Sequence, residues 1–305
     1  MFRLEHSDER ASLRSELFLH SLAAKAPLAG ITKCAVNLSM HYDIHLSERY
    51  DGFAAEFWGL MGGNTPESDL SFFENAIRVG GGRALDLTCG SGKHMVPYCK
   101  AGLQVDGVDA SQPLLDVCKS RAAEIGENPD LYCQMMQSLD LPHHYQTIFI
   151  TVGSFMLLKD RDDALKTLVG CLKHLLPGGK LYVSVFRPKE ADDPAYRGRR
   201  TMGPSTRPED GATISVECWT ENVDSWHQVI TERRRYTVTR PGQPSRIQEA
   251  VMYLRWYGKD ELLTIFELAG FTDPFVHQDF TMNAAFEWKD ELVFSGTKPH
   301  RLLPM

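Results

Sequence analysis

Ala84-Leu85-Asp86-Leu87-Thr88-Cys89-Gly90-Ser91-Gly92 reads as an apolar strand tip that breaks into a tight glycine turn and runs on into helical sequence. Gly90 and Gly92 lack the Cβ atoms that keep a ligand off the backbone, and glycine tolerates the positive φ that a strand-to-helix turn often needs. A second apolar strand, Gln104-Val105-Asp106-Gly107-Val108-Asp109, ends in a carboxylate about twenty residues after the loop, where an acid grips ribose hydroxyls. The two together predict a nucleoside-shaped site. A dinucleotide loop would carry its third glycine where Met95 stands, and a phosphate-cradling loop would end in Lys-Ser or Lys-Thr. Neither is present, which disfavours a phosphate ligand.

Read from Leu85 to Gly92, the stretch resembles motif I of the class I S-adenosylmethionine-dependent methyltransferases, with Asp86, Leu87, Cys89, Gly90 and Gly92 on the pattern, Ser91 a mild substitution, and Thr88 where the first glycine usually stands. Asp109 with Ala110 resembles the family's ribose-binding strand end. Met135-Met136-Gln137 precedes Leu139-Asp140-Leu141-Pro142 as the adenine loop does in the family, which makes Gln137 the candidate for the adenine edge and Met136 for its face. Thr147 to Ser154 resembles the fourth strand and its end, placing Thr151 beneath the methionyl group. Leu175-Leu176-Pro177-Gly178-Gly179 resembles the turn into strand five, and Leu268-Ala269-Gly270-Phe271 the end of a late helix. The resemblance covers residues 50–298. It implies an α/β fold, a Rossmann-like doubly wound sheet of the seven-stranded methyltransferase type, with S-adenosyl-L-methionine as cofactor.

Composition agrees with such a fold. A chain of 305 residues with 43% hydrophobic content can bury a full core. A net charge of −7 with scattered Lys and Arg argues against a nucleic-acid partner, since phosphate binding needs a concentrated basic face. Seven cysteines without a C-x-x-C pair point to a reduced, cytoplasmic setting, and no apolar run approaches membrane-spanning length.

Strands alternate with helices through the middle of the chain, which predicts a parallel sheet covered on both faces. Leu165, Leu168, Leu172 and Leu175 fall at helical spacing before Pro177-Gly178-Gly179, and Leu181 to Phe186 is a central strand. Residues 189–210 are polar and rich in Pro and Gly, unlike a core element. Thr213 to Trp219, Trp226 to Val238 and Ile247 to Tyr257 alternate as three antiparallel strands, with turns near Asn222 to Ser225 and Pro241 to Ser245. They form an inserted antiparallel β segment ahead of a helix from Lys259 to Ala269. Phe275 to Phe280 and Glu291 to Thr297 then return to the main sheet as an antiparallel pair. The expected organisation is an N-terminal helical extension at 1–49, with a helix over Glu5 to Ala24, a cofactor-binding core at 50–188, a substrate roof at 189–258 and completion of the core at 259–305.

The resemblance places Tyr50 as a lid over the cofactor, with Trp58 beside it facing substrate. The roof supplies Trp219, Arg255, Trp256 and Tyr257 as candidate substrate contacts. A fixed Arg255 guanidinium would favour a carboxylate-bearing substrate, with an ion pair as the plainer alternative. Methyl transfer is an in-line displacement, so the protein must align the acceptor atom, exclude water and take a proton where the acceptor carries one. The candidate bases are His94, which follows the glycine loop, and His227 and Glu249 in the roof. Strand four ends Thr151-Val152-Gly153-Ser154, without the Asn/Asp-Pro-Pro-aromatic signature of base-amine methylation and without an acid for a catechol-type metal. His143-His144 beside Asp140 lacks a completing ligand set, so no metal is expected. What remains is transfer to an O, N or C atom of a small molecule, with the inserted strands a candidate homodimer face. Two other readings stay open: a non-methylating use of the donor that releases methylthioadenosine, and a catalytically silent partner subunit.

Overall fold

The computed structural model describes residues 42–45, 50–61, 65–285, 287, 288 and 291–300. The helix expected over Glu5 to Ala24 lies outside them. In chain order the elements are β1 (Tyr42–His45), α1 (Gly52–Leu60), α2 (Glu67–Gly80), β2 (Ala84–Leu87), α3 (Met95–Lys100), β3 (Val105–Asp109), α4 (Gln112–Glu124), β4 (Leu131–Cys133), β5 (Tyr145–Ile150), α5 (Arg161–His174) and β6 (Leu175–Phe186). They continue with α6 (Lys189–Asp192), β7 (Arg200–Thr206), β8 (Thr213–Asp224), β9 (Val229–Thr239), β10 (Arg246–Arg255), α7 (Lys259–Leu268), β11 (Thr272–Gln278) and β12 (Glu291–Thr297).

Seven strands form the main sheet in the order β11-β12-β6-β5-β2-β3-β4. All neighbours pair in parallel except β12, which runs antiparallel to both β6 and β11. The fold is therefore the expected seven-stranded α/β type. Strand order reverses between β2 and β5, which leaves a crevice at their carboxyl ends where such sheets bind ligands. The central strands are buried on both faces, as the continuous apolar runs require. Successive residues divide between two cores: Ile148 and Ile150 of β5 pack with Leu168 of α5 and Phe266 of α7, while Phe149 packs with Phe73 of α2 and Tyr98 of α3.

A second sheet has the order β1-β10-β9-β8-β7. Strands β7 to β10 pair antiparallel in sequence, and β1 joins β10 in parallel. This inserted sheet carries four antiparallel strands where three were expected. The added one, β7, falls in the polar stretch read as irregular; an edge strand with most side chains in water has no apolar pattern to betray it. The first turn also lies later than expected, since β8 extends to Asp224. One face of the sheet closes on α1 through Ile214, Val216, Tyr236 and Val238 against Ala54 and Phe57. The Pro177-Gly178-Gly179 segment lies within β6, bulging between the pairs Tyr145–Leu175 and Thr147–Lys180.

Candidate active site

A cavity of about 480 Å³ opens at the carboxyl ends of β2, β3 and β5. Its floor is the loop after β2, its side wall the segment after β4, and its far wall the inner face of β9 and β10.

The loop is tied to β3 by the Thr88 and Cys89 amides, which donate to the Val108 carbonyl at 2.7 and 2.9 Å, and by the Gly90 amide, which donates to Asp109 Oδ2 at 2.9 Å, while the Ser111 amide donates to Oδ1 at 2.8 Å. Burial pushes the Asp109 carboxyl up, and the Ser111, Gly90 and Ala110 amides pull it back. Gly90 takes φ +52°, and a Cβ there would point into open space, with nothing nearer than 3.9 Å. Gly92 differs. It does not line the cavity, and a Cβ would come within 2.7 Å of Cys118 Sγ and Val96 Cγ2, so its bareness serves the packing of α4 against the loop. Thr88 holds φ +85°, a conformation costly for a β-branched residue, and its hydroxyl lacks a hydrogen-bond partner. The loop thus keeps the shape of a glycine loop without glycine at that position.

Asp86 stands behind the loop, outside the cavity wall, with neither carboxylate oxygen hydrogen-bonded. Burial pushes its carboxyl up to about 7; His94 opposes this, and the Asp109 and Asp69 carboxylates add to it. Cys89 and Ala110 line the cavity beside Asp109. Met136 and Gln137 begin a short turn over Met136–Ser138 that forms the side wall, and the Gln137 Oε1 is buried without a partner.

Beneath Thr151 lies a polar row. His94 Nε2 is 3.0 Å from Asp69 Oδ2 on α2, and His94 Nδ1 is 3.3 Å from Thr151 Oγ1, with all three side chains buried. Thr151 and His94 both reach the cavity; Asp69 was not anticipated from sequence. Glu291 of β12 adds a fourth group nearby, its carboxyl raised by burial.

Tyr50 and Trp58 close one corner, their rings edge to face at 6.0 Å. The Tyr50 carbonyl accepts from the Ser111 hydroxyl, which anchors this segment to the N-terminus of α4. Two cations face the Trp58 ring, Lys93 at 5.8 Å and the Arg234 guanidinium at 5.6 Å.

The remaining roof candidates are elsewhere. His227 is exposed at the β8–β9 turn, paired with Asp224 at 2.7 Å. Glu249 accepts from Arg235 at 2.7 Å and Arg233 at 3.4 Å, on the sheet face turned from the cavity. Trp219 is stacked by Arg199 and Arg235 on that same face. Arg255 pairs with Glu261 at 2.7 Å and lies over the Tyr257 ring, while Trp256 and Tyr257 belong to the main core. None of these six lines the cavity. The roof residues that do are Ile230, Glu232 and Arg234 of β9 and Met252 and Leu254 of β10, which fall opposite one another in the register Ile230–Leu254 and Glu232–Met252. Strands β8 to β10 lie where the sequence predicts strands, with shifted ends, but the residues that face the cavity are not the ones the sequence singles out. Arg200 of β7 and Glu190 of α6 complete that wall.

Among the described residues, Asp106, Asp130 and His143 are the one group with metal-ligand spacing. Arg83 already bridges the two acids, at 2.8 Å and 2.5 Å, and the trio stands apart from the cavity wall. No described helix is long and apolar enough to cross a membrane.

Residues 84–179 match the family model of the methyltransferase domain. A ubiquinone biosynthesis O-methyltransferase of Coxiella burnetii is 28% identical over 143 residues, a stretch covering 45% of this chain and 60% of that protein. The chain thus spans about three fifths of the length of that curated relative. Among solved structures, the sugar N-methyltransferase of a Streptoalloteichus species superposes with TM-score 0.64 at 14% identity, over 91% of this chain and 99% of that one. An S-adenosylmethionine-dependent methyltransferase of Clostridium acetobutylicum gives 0.63 at 14% identity, over 77% and 92%. Residues 84–179 thus match a methyltransferase domain by sequence, and the chain shares the fold of these S-adenosylmethionine-dependent and sugar N-methyltransferase structures.

Proposed function

We propose that this chain binds S-adenosylmethionine in the cavity and transfers its methyl group to an O, N or C atom of a small molecule held under the inserted sheet. The observation that carries the reading is the Gly90 amide on the Asp109 carboxylate at the mouth of β2 and β3, which shapes a bare loop beside an acid facing the cavity. When bound, S-adenosylmethionine would supply an electrophilic methyl on a sulfonium. Asp109 would accept from the ribose hydroxyls, and Met136 would lie on the adenine face. The Gln137 Oε1, buried and unpaired, suits the exocyclic amine of adenine. Asp86 provides the counter-charge for the methionyl ammonium from behind Thr88 and Cys89. Lys93, which follows the loop and lines the cavity, suits the methionyl carboxylate.

His94 is the proton acceptor in this reading, through the Thr151 hydroxyl. Asp69 on the far ring nitrogen orients the imidazole and would stabilise it once charged, the logic of an Asp-His pair. Tyr50 and Trp58 exclude water and offer aromatic faces to the sulfonium, an attraction on the order of 1 kcal/mol per ring when partly desolvated. Residues 50–188 and 259–305 would then act as the donor-binding core, and 189–258 as the acceptor roof. The reading uses no metal ion. A reducing compartment fits the described cysteines, which are all unpaired and, apart from Cys133, buried.

Incubation with S-adenosylmethionine and a panel of phenols, amines and amino sugars, with mass detection of the nucleoside product, tests this. S-adenosylhomocysteine with a methylated acceptor is the expected result. Release of methylthioadenosine would establish the non-methylating use instead.

A further inference from the structure

The roof contributes a row of alternating charges to the cavity wall. Glu190 of α6 pairs with Arg200 of β7; Arg200 reaches Glu232 of β9 at 2.6 Å; and Glu232 accepts from the Arg234 Nε at 2.7 Å. Both oxygens of Glu232 are therefore taken by arginines, and both acids of the row are used. The row ends on Arg234. Nη1 of its guanidinium is buried without a hydrogen-bond partner, and the Tyr236 hydroxyl lies within reach of the group. The Trp58 face and the hydroxyls of Tyr50 and Tyr236 stand near it, and Glu232 is the one carboxylate that pairs with it among the described residues. A guanidinium so placed has donors in a fixed fork, held by Glu232 from behind, and lacks the planar two-oxygen acceptor that such a fork matches.

We propose that the methyl acceptor carries a carboxylate and that Arg234 receives it, which makes Arg234 a specificity-determining residue. This rests on the methyl-transfer reading above. Lys93 and Arg234 both face Trp58; among the described residues Lys93 has no ion pair within 4 Å and Arg234 is met by Glu232 alone. The donor brings a single carboxylate, and Lys93, two residues after Ser91 on the donor loop, stands where it would be met. Arg234 stands on the acceptor side, on the strand that also presents Ile230. Arg255, the roof arginine that the sequence singles out, is spent on Glu261 outside the cavity.

The test is calorimetric titration of the full chain saturated with S-adenosylhomocysteine, using 3,4-dihydroxybenzoate, 4-aminobenzoate, tyrosine and glucuronate, each beside its methyl ester. At least one acid should bind about tenfold or more tightly than its ester, since the ester cannot accept a charged, two-pronged pair. In Arg234→Met that preference should vanish while S-adenosylhomocysteine binds within about threefold of its original affinity. If melting curves show that Arg234→Met does not fold, Arg234→Lys carries the comparison, with the preference reduced because one charge replaces the fork. No acid preferred over its ester, or a preference that survives in Arg234→Met, overturns the proposal. So does equal loss of S-adenosylhomocysteine in that variant, which would assign Arg234 to the donor. Failure of the unaltered chain to bind S-adenosylhomocysteine overturns the methyl-transfer reading and this inference with it, whereas normal donor binding with no preferred acid removes this inference alone.

Discussion

The Gly90 amide lies 2.9 Å from Asp109 Oδ2, so the loop that would cradle the donor and the acid that would hold its ribose are one hydrogen-bonded unit. At the end of a parallel strand pair, that bond and the Thr88 and Cys89 amides on the Val108 carbonyl hold the loop against β3 before any ligand arrives.

Gly90→Val follows from this geometry. The apo chain has room for the Cβ, so the expected structural cost is the positive φ alone, about 1–2 kcal/mol. The side chain projects into the cavity, and the shift in melting temperature produced by S-adenosylmethionine should vanish. Thermal scans with and without the donor read both effects; retained stabilisation would make the loop purely structural.

Thr88→Gly should do the opposite. Relief of a β-branched residue at φ +85° is worth about 1–3 kcal/mol, offset by about 0.5–1 kcal/mol of added chain entropy in the unfolded state. The melting temperature should rise by about 2–4 °C. A fall would mean that the Thr88 side chain contributes packing that outweighs its strain.

Asp86 predicts a pH dependence. With its folded carboxyl pushed up to about 7 by burial, the donor-free chain holds a proton that the unfolded chain releases from 3.8 upward. Its contribution to stability is therefore lost as pH rises from 3.8 to about 7. A donor ammonium nearby favours the ionised form, so binding expels the proton. Affinity for S-adenosylmethionine should rise between about pH 6 and 8, with release of up to roughly one proton per site, and Asp86→Asn should flatten both. Titration in buffers of differing protonation enthalpy measures the release; pH-independent binding would exclude the role.

For His94→Gln, turnover should drop by about 100-fold or more while donor affinity stays nearly constant, because the imidazole touches the proton path and not the nucleoside. Steady-state kinetics beside donor titration separates the two. Unchanged turnover would reduce His94 to a brace for Asp69.

The main sheet was legible because parallel strands buried on both faces leave continuous apolar runs, as at Ile148 to Ile150, and because Gly90 and Asp109 sit at fixed places relative to two such strands. The roof was less so. Strand β7 is an exposed edge carrying Gly203 and Pro204, which edges tolerate and pattern reading takes for loop. On β9 charges occupy both faces: Arg233 and Arg235 meet Glu221 and Glu249 outside, while Glu232 and Arg234 meet Arg200 and the cavity inside. Composition cannot mark the inward face when both are charged, so the sequence points to Trp219, Arg255, Trp256 and Tyr257 where the structure presents Arg234 and Leu254 to the cavity. Asp69 was hidden in a helix whose sequence reads as ordinary acidic surface, and only folding brings it under His94.

The proposed donor site stands or falls with the Gly90 to Asp109 unit, and calorimetric titration of the full chain and of Asp109→Ala with S-adenosylhomocysteine decides it. Loss of the carboxylate leaves two ribose hydroxyls poorly paired and frees the Gly90 amide, at about 1–3 kcal/mol. Saturable one-to-one binding that weakens at least about fivefold in the variant is expected; absence of binding, or equal affinity in both proteins, would exclude the site.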